Sequence, residues 1–331
     1  MVTNIFKNPD IFRLDIPLPD NPLKNLNCYV VQDAGETLII DTGFNQKPCY
    51  DALMEGMEEL QLDWDNTTLF LTHLHSDHVG LAGALSPKEI LMGEVDYRYF
   101  IDTIQGTSWD ELDHKFAKEG FPVEAIAALH DTNPAIAFAP NETFLARTLH
   151  DGDTFSIGRY TFQCIFTPGH TPGHMCLYLP EKEMMFLGDH VLFDITPNIT
   201  FWNGVADSLG QYLDSLHKIR RFSVKTALPA HRKNEMDFYE RIDAILHHHQ
   251  VRLAECLRIV TETPSLDAYH ISAQMQWSMR GKDWDHFPMH QKWFAVGETI
   301  AHLDYLIAQN KVLRIEENGI YRYVPTSQTD A

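Results

Sequence analysis

The chain has 331 residues, 44% of them hydrophobic and 22% charged, enough for a large core and more than one average domain needs. Asp and Glu outnumber Lys and Arg 46 to 26 for a formal net charge of −20, and the excess falls in residues 1–250, with 36 acidic and 18 basic side chains. Proteins that grip long polyanions present basic surfaces, so this balance argues against nucleic acid as the substrate of that part.

The first residues lack a basic stretch followed by an apolar run, and no run approaches the ~20 apolar residues of a membrane span. The five cysteines, Cys28, Cys49, Cys164, Cys176 and Cys256, form no C-x-x-C pair and read as reduced, mostly packed thiols. A cytoplasmic protein that does not engage membrane is expected.

Ile11–Ile16 alternates apolar and polar residues as a half-buried strand does, and the proline-rich turn 17–22 ends it. Asn27–Val31 and Thr37–Gly43, around Asp33-Ala34-Gly35, predict a hairpin. Asp41 closes a run of buried aliphatics and is either a loop cap or the partner of a metal-binding histidine. Residues 48–60 are patterned as an amphipathic helix, and Thr68–Thr72 as a buried strand. Directly after it, Thr72-His73-Leu74-His75-Ser76-Asp77-His78-Val79-Gly80 places four metal-capable side chains within six residues. His73 and His75, two apart, project from one side of an extended backbone, while Asp77 and His78 on the following turn aim at a neighbouring point. That spacing suits two adjacent ions.

Between 94 and 140 the regularity is lost. Tyr97, Tyr99, Phe100, Trp109, Phe116, Phe121 and Phe138 lie among helical stretches broken by Gly106, Gly120, Pro122 and Pro134. This is a helical excursion that either buries its own aromatics or forms a lid over a substrate pocket. Strands resume at 154–157, 160–166, 175–179, 184–187 and 224–229, with a helix over 208–221. Three further loops after strands carry metal-capable residues: Thr167-Pro168-Gly169-His170-Thr171-Pro172-Gly173-His174, then Gly188-Asp189-His190, then Pro229-Ala230-His231-Arg232. One histidine after a strand means little; four such segments in this order signal a metal site.

After about Lys233 the pattern turns helical: Glu235 to about Thr261, a second helix with Ser265 as its N-cap, and a third over Phe294–Ile307. Val312–Glu316 and Ile320–Val324 flank Asn318-Gly319 as a hairpin. Helices followed by a hairpin resemble a winged-helix module. Its near-neutral charge favours packing against the first domain or against the partner subunit of a homodimer. His247-His248-His249 reads as solvated, since consecutive helical positions diverge and do not chelate one ion. Two domains are therefore expected, residues 1–233 and 234–331.

From the Asp41-Thr42-Gly43 strand end through His231, these segments resemble the metallo-β-lactamase superfamily. The resemblance implies an α/β αββα sandwich, followed here by the mainly helical, winged-helix-like region. It implies one metal on His73, His75 and His170, a second on Asp77, His78 and His231, and Asp189 bridging. Imidazoles and carboxylates suit zinc first, and also iron or manganese. A metal-bridging hydroxide would attack the substrate, with Asp77 orienting it or taking up its proton. His174 and His190 are left as supporting residues.

True β-lactamases of the superfamily typically lack the His78 equivalent as a ligand and carry Cys in place of Asp189, so antibiotic hydrolysis is disfavoured. Flavodiiron oxygen reductases carry Glu in place of His75. Glyoxalase II-like thioesterases and lactonases share the full set. This chain departs from the usual pattern at Gly80-Leu81-Ala82-Gly83 and at Pro229-Ala230-His231-Arg232. The tail resembles the C-terminal extension of a β-lactamase-like hydrolase subgroup, some of whose members act on RNA. The expected function is hydrolysis of a small ester, thioester or lactone with two divalent ions. A mononuclear iron enzyme like the persulfide dioxygenases is the alternative, ahead of a nuclease or nucleic-acid-binding protein.

Overall fold

Adjacent residues of the central strands enter different cores. Val30, Ile39, Leu69 and Met92 lie in one cluster, whereas their neighbours Val31, Ile40, Phe70 and Leu91 lie in another. A strand with both faces buried is a near-continuous apolar run, as these sequences are. The computed structural model describes residues 1–105, 108–130, 133–279, 281 and 283–326; Gly106 lies outside them.

In chain order the first elements are β1 (Val2–Phe6), β2 (Asp10–Pro17), β3 (Asn25–Asp33), β4 (Glu36–Ile40), α1 (Lys47–Glu59), β5 (Thr67–Leu71), α2 (Ser76–Val79), β6 (Glu89–Gly93), α3 (Glu94–Gln105), α4 (Ser108–Lys118), α5 (Val123–His130), α6 (Pro134–Ala137) and β7 (Arg147–Leu149). Then come β8 (Thr154–Ile157), β9 (Tyr160–Phe166), β10 (Met175–Leu179), β11 (Met184–Gly188), α7 (Ser208–Ile219), β12 (Thr226–Pro229), α8 (Phe238–Glu262), α9 (Ala268–Gln274), α10 (Met289–Ala308), β13 (Val312–Glu317) and β14 (Ile320–Pro325).

Strands β1 to β7 form one sheet in sequence order, antiparallel through β4 and parallel from β4 to β7. The second sheet runs β12-β11-β10-β9-β8, antiparallel except for the β11–β12 pair. Phe70, Leu91 and Tyr29 from the first sheet meet Phe162, Leu177 and Phe186 from the second in the cluster between the layers. On the outer face of the first sheet, Leu14, Ile39 and Leu69 pack with Cys49, Leu53 and Met57 of α1 and Phe100 of α3. The αββα sandwich expected from the sequence is the architecture found.

Two compact units emerge. One comprises residues 1–105, 133–197 and 215–242; the other comprises 106–132, 198–214 and 243–331. The division interleaves along the chain instead of falling at one point. Consequently the aromatics of 94–140 enter two cores. Tyr97, Phe100 and Phe138 join the first unit, whereas Phe116 and Phe121 are buried in the second with Phe201, Ile259, Val296, Ile300, Leu303 and Tyr323.

The second unit corrects three local expectations. Asp267, not Ser265, caps α9: its side chain accepts from the His270 N–H, whereas Ser265 sits at φ 70° and donates its N–H to the Tyr323 carbonyl. Helix α10 begins at Met289, ahead of the expected Phe294. His249 is 1% exposed and its Nδ1 lies 3.3 Å from His302 Nε2, so the solvated reading of the histidine run does not hold for its last member. The hairpin β13–β14 turns at Asn318-Gly319 with φ of 53° and 81°, the two left-handed residues of a type I′ turn. Among the described residues no helix is long and apolar enough to cross a membrane.

Candidate metal centre

The four segments singled out in the sequence leave the ends of β5, β9, β11 and β12, so strands of both sheets deliver them. After β5 the chain bends at Leu74, is extended at His75 (φ −63°, ψ 144°) and then winds into the one-turn helix α2. This places His73 and His75 before the turn and Asp77 and His78 within it. The loop after β9 is tied to the same strand end, because Met175 N–H donates to the Thr72 carbonyl at 2.8 Å. The loop after β12 is anchored by β3: Asn27 Nδ2 and the Tyr29 hydroxyl both donate to the Pro229 carbonyl, at 3.0 and 2.8 Å.

These loops bring all seven candidate ligands together in three overlapping groups. His73, His75 and His170 form one; His73, His78 and Asp189 a second; Asp77, His78 and His231 a third, each with its ligand atoms within 4.8 Å of one another. His73 Nε2 and His75 Nδ1 are 3.0 Å apart. His231 Nε2 is 3.2 Å from Asp77 Oδ2 and 3.4 Å from Asp189 Oδ1, while Asp189 Oδ2 is 3.6 Å from His170 Nε2. His174 and His190 belong to none of the groups.

Hydrogen bonds behind the histidines decide which ring nitrogen faces the cluster. His78 Nδ1 donates to Asp41 Oδ2 at 2.8 Å, and His231 Nδ1 donates to the Asn25 carbonyl at 2.9 Å, so each turns Nε2 inward. Asp41 also accepts from the N–H and the hydroxyl of Thr72, which resolves its role as the partner of a candidate ligand rather than a mere loop cap. His174 supports Asp189 instead of joining it. Its Nδ1 faces the Thr167 hydroxyl at 2.8 Å and its Nε2 accepts the Asp189 N–H at 3.2 Å. Gly188, at φ 51°, makes that approach feasible, because a Cβ there would stand 2.5 Å from His174 Nε2.

Electrostatics divide the site in two. Burial first, then the neighbouring histidines, holds His73 well below its ordinary range, and burial lowers His75 to about 4, so both are neutral donors at physiological pH. Burial also disfavours a charged His78, but Asp41, Asp77 and Asp189 outweigh it and raise that histidine to about 10. His231 is raised against its burial by Asp189 and Asp77. Burial works against the Asp77 carboxylate too, yet His78 and His231 hold it below the usual range. The carboxylate-rich half thus demands positive charge, supplied here by protons that a divalent ion would displace.

The donor set fits such ions. His78 Nε2, His231 Nε2 and Asp189 Oδ1 are buried without a hydrogen-bond partner among the described residues, although oppositely charged groups stand 3.2–3.7 Å away. Buried polar atoms are normally satisfied, and atoms converging unsatisfied on one space mark a ligand.

Residues 22–231, well over half of the chain, match the family described as the Metallo-beta-lactamase superfamily. The chain belongs to that superfamily. Residues 284–326 match the family described as Metallo-beta-lactamase-like, C-terminal domain. Over 95% of this chain and 98% of the other, the fold is similar to that of a metallo-beta-lactamase family protein from Thermus thermophilus, at 26% identity and a TM-score of 0.78. It is similar to a beta-lactamase domain protein from Burkholderia ambifaria at 25% identity and a TM-score of 0.84, over 98% and 94% of the two chains. Among curated relatives, an atrochrysone carboxyl ACP thioesterase of Aspergillus fumigatus is 27% identical over 67% of this chain, and the match spans 59% of that protein's length.

Sequence reasoning missed Asp96. Its carboxylate, 0% exposed, accepts from Leu74 N–H, from the Thr171 hydroxyl and from Gly173 N–H. Thr72 and Thr167, each just upstream of a candidate ligand, were passed over as well. A threonine directly before His73 and another before Pro168-Gly169-His170 were the available signals; Asp96 had none.

Proposed function

We propose that this chain is a hydrolase of small thioesters, esters or lactones that works with two divalent ions, zinc foremost. His73, His75 and His170 would hold one ion and Asp77, His78 and His231 the other. The observation that carries this reading is Asp189, whose two carboxylate oxygens face different halves of the cluster, Oδ2 toward His170 and Oδ1 toward His231 and His78. One carboxylate aimed two ways is what a bridging ligand requires. The thioester stands first because relatives bear that name. A net charge of −20 favours a small-molecule substrate over nucleic acid.

When bound, the ions supply Lewis acidity for the substrate carbonyl and make a nearby water acidic. The chain supplies the rest. Asp77, kept ionised by His78 and His231, offers Oδ2 as the acceptor for a proton of the attacking water. Its side chain remains 12% exposed. Asp41 and the Asn25 carbonyl hold the two imidazoles of this half in place. Water adds across the acyl–sulfur or acyl–oxygen bond; the acyl carbon gains the hydroxyl and the leaving thiol or alcohol gains the proton.

The test is metal content of the purified chain, together with turnover of a panel of thioesters, lactones and phosphodiesters. Two metals per chain and hydrolysis of an acyl substrate are expected. A folded chain that binds no metal would overturn the proposal, as would one iron per chain with thiol-dependent oxygen uptake.

A further inference from the structure

Asp96 is the third residue of α3, and none of its surface is exposed. A buried carboxylate is costly unless its lone pairs are met. Its partners lie beside the three histidines of one half of the cluster. Oδ2 accepts from Leu74 N–H at 3.0 Å and from Thr171 Oγ1 at 2.6 Å; Oδ1 accepts from Gly173 N–H. Leu74 lies between His73 and His75, and Thr171 directly follows His170. Among the described residues Asp96 has no ion-pair partner, so these three donors are its compensation.

The contact is too close to be incidental. A Cβ on Gly173 would stand 2.1 Å from the Asp96 backbone nitrogen, so the loop lies on the start of α3 with no room for a side chain. The three donors also need both oxygens as acceptors. An amide would have to turn its NH₂ toward a backbone N–H at Leu74 or at Gly173, breaking the tie to one loop. Leu74 shares its segment with Asp77 and His78 but precedes the turn of α2 that carries them, and none of the three donors belongs to the loops bearing Asp189 or His231.

We propose that Asp96 is a positioning residue for the histidine-only half of the centre, fixing the His73–His75 pair relative to His170. The inference rests on the metal-binding reading above. Asp96 touches neither substrate nor metal; it acts through the two loops it joins.

The test is titration of the metal-free chain with Co²⁺ and Zn²⁺ against a competing chelator, followed by absorption of the Co²⁺ form. Asp96→Asn should weaken one of two sites about 10–100-fold and leave the other near its original affinity. In a His231→Ala background, where the histidine-only half is the tighter remaining site, Asp96→Asn should weaken that remaining site. Thr171→Val, which removes one of the three donors, should weaken the same site less, and Thr171→Ser, which keeps the hydroxyl, should restore it. Wild-type affinity at both sites in Asp96→Asn would overturn the inference, as would equal weakening of both with a parallel loss of stability. If Asp96→Asn fails to fold, the threonine pair decides: equal affinities in Thr171→Val and Thr171→Ser refute the proposal. A parent chain that binds no metal refutes both this inference and the hydrolase reading. A parent with two metals and insensitive variants refutes this inference alone.

Discussion

Asp41→Asn isolates one charge and one acceptor at the back of the carboxylate-rich half. Asp41 sits at φ 62°, a conformation asparagine also adopts readily, so the backbone does not oppose the change. The carboxylate accepts from His78 Nδ1 at 2.8 Å, from the Thr72 hydroxyl at 2.8 Å and from Thr72 N–H at 2.8 Å. The amide must point its NH₂ at one of these donors. Facing His78, it frees the ring to move its proton to Nε2, the atom turned into the cluster. Facing Thr72, it breaks the tie that holds the exit of β5. Either way one hydrogen bond to a charged group is lost, about 1.5–3 kcal/mol. Loss of a carboxylate behind a ligating histidine weakens metal affinity about 10–100-fold, or about 1.4–2.7 kcal/mol, so the two figures agree. The assay is two-site metal titration with urea unfolding of the metal-free chain. Affinity should fall at the site containing His78, and stability by about 1.5–3 kcal/mol. Unchanged affinity at both sites would refute the reasoning.

His73→Ala and His170→Ala should each cost one ion and nearly all activity, whereas His231→Ala should weaken chiefly the other; equal metal content in all three would break the partition. Gly173→Ala should destabilise the chain by about 3 kcal/mol or more and lower metal content, since its Cβ meets backbone that has no room to give, at 2.1 Å; a soluble variant with unchanged unfolding in urea would contradict that. Burial pushes Glu119 up to about 7, against the hydroxyl of Tyr323 at 2.7 Å and Arg314. The folded state then holds this proton more tightly than the unfolded one, so stability declines as pH rises from about 4.5 to 7, by at most on the order of 3 kcal/mol. Glu119→Gln should flatten that part of the urea-unfolding profile, and an unchanged slope would exclude Glu119 as its source.

The centre was legible because its residues sit where strands end. Short, largely apolar runs locate β5, β9, β11 and β12, and each hands a His or Asp to the loop that follows. Asp41 was visible for the same reason, as a polar residue closing an aliphatic run. Asp96 was invisible because it opens an amphipathic helix, where a carboxylate is ordinary, and its partners lie 22 to 77 positions away. His249 was misread because helical periodicity shows which positions share a face, not what later packs there; α10 brings His302 against it. The N-cap of α9 was misplaced by two residues because proline, serine and aspartate all precede that helix, and only backbone conformation separates them.

The second unit borrows its core from three parts of the chain, with Phe116 and Phe201 packed beside Ile259, Val296 and Tyr323. A stop codon after residue 242 would therefore not deliver a tidy catalytic fragment. It would strip the partners from two aromatic stretches still attached to the sandwich and leave them facing water. Such a core cannot be moved as a cassette, either onto another enzyme or out of this one, without carrying both inserts with it. Any engineering of this chain has to treat 106–132, 198–214 and 243–326 as one part.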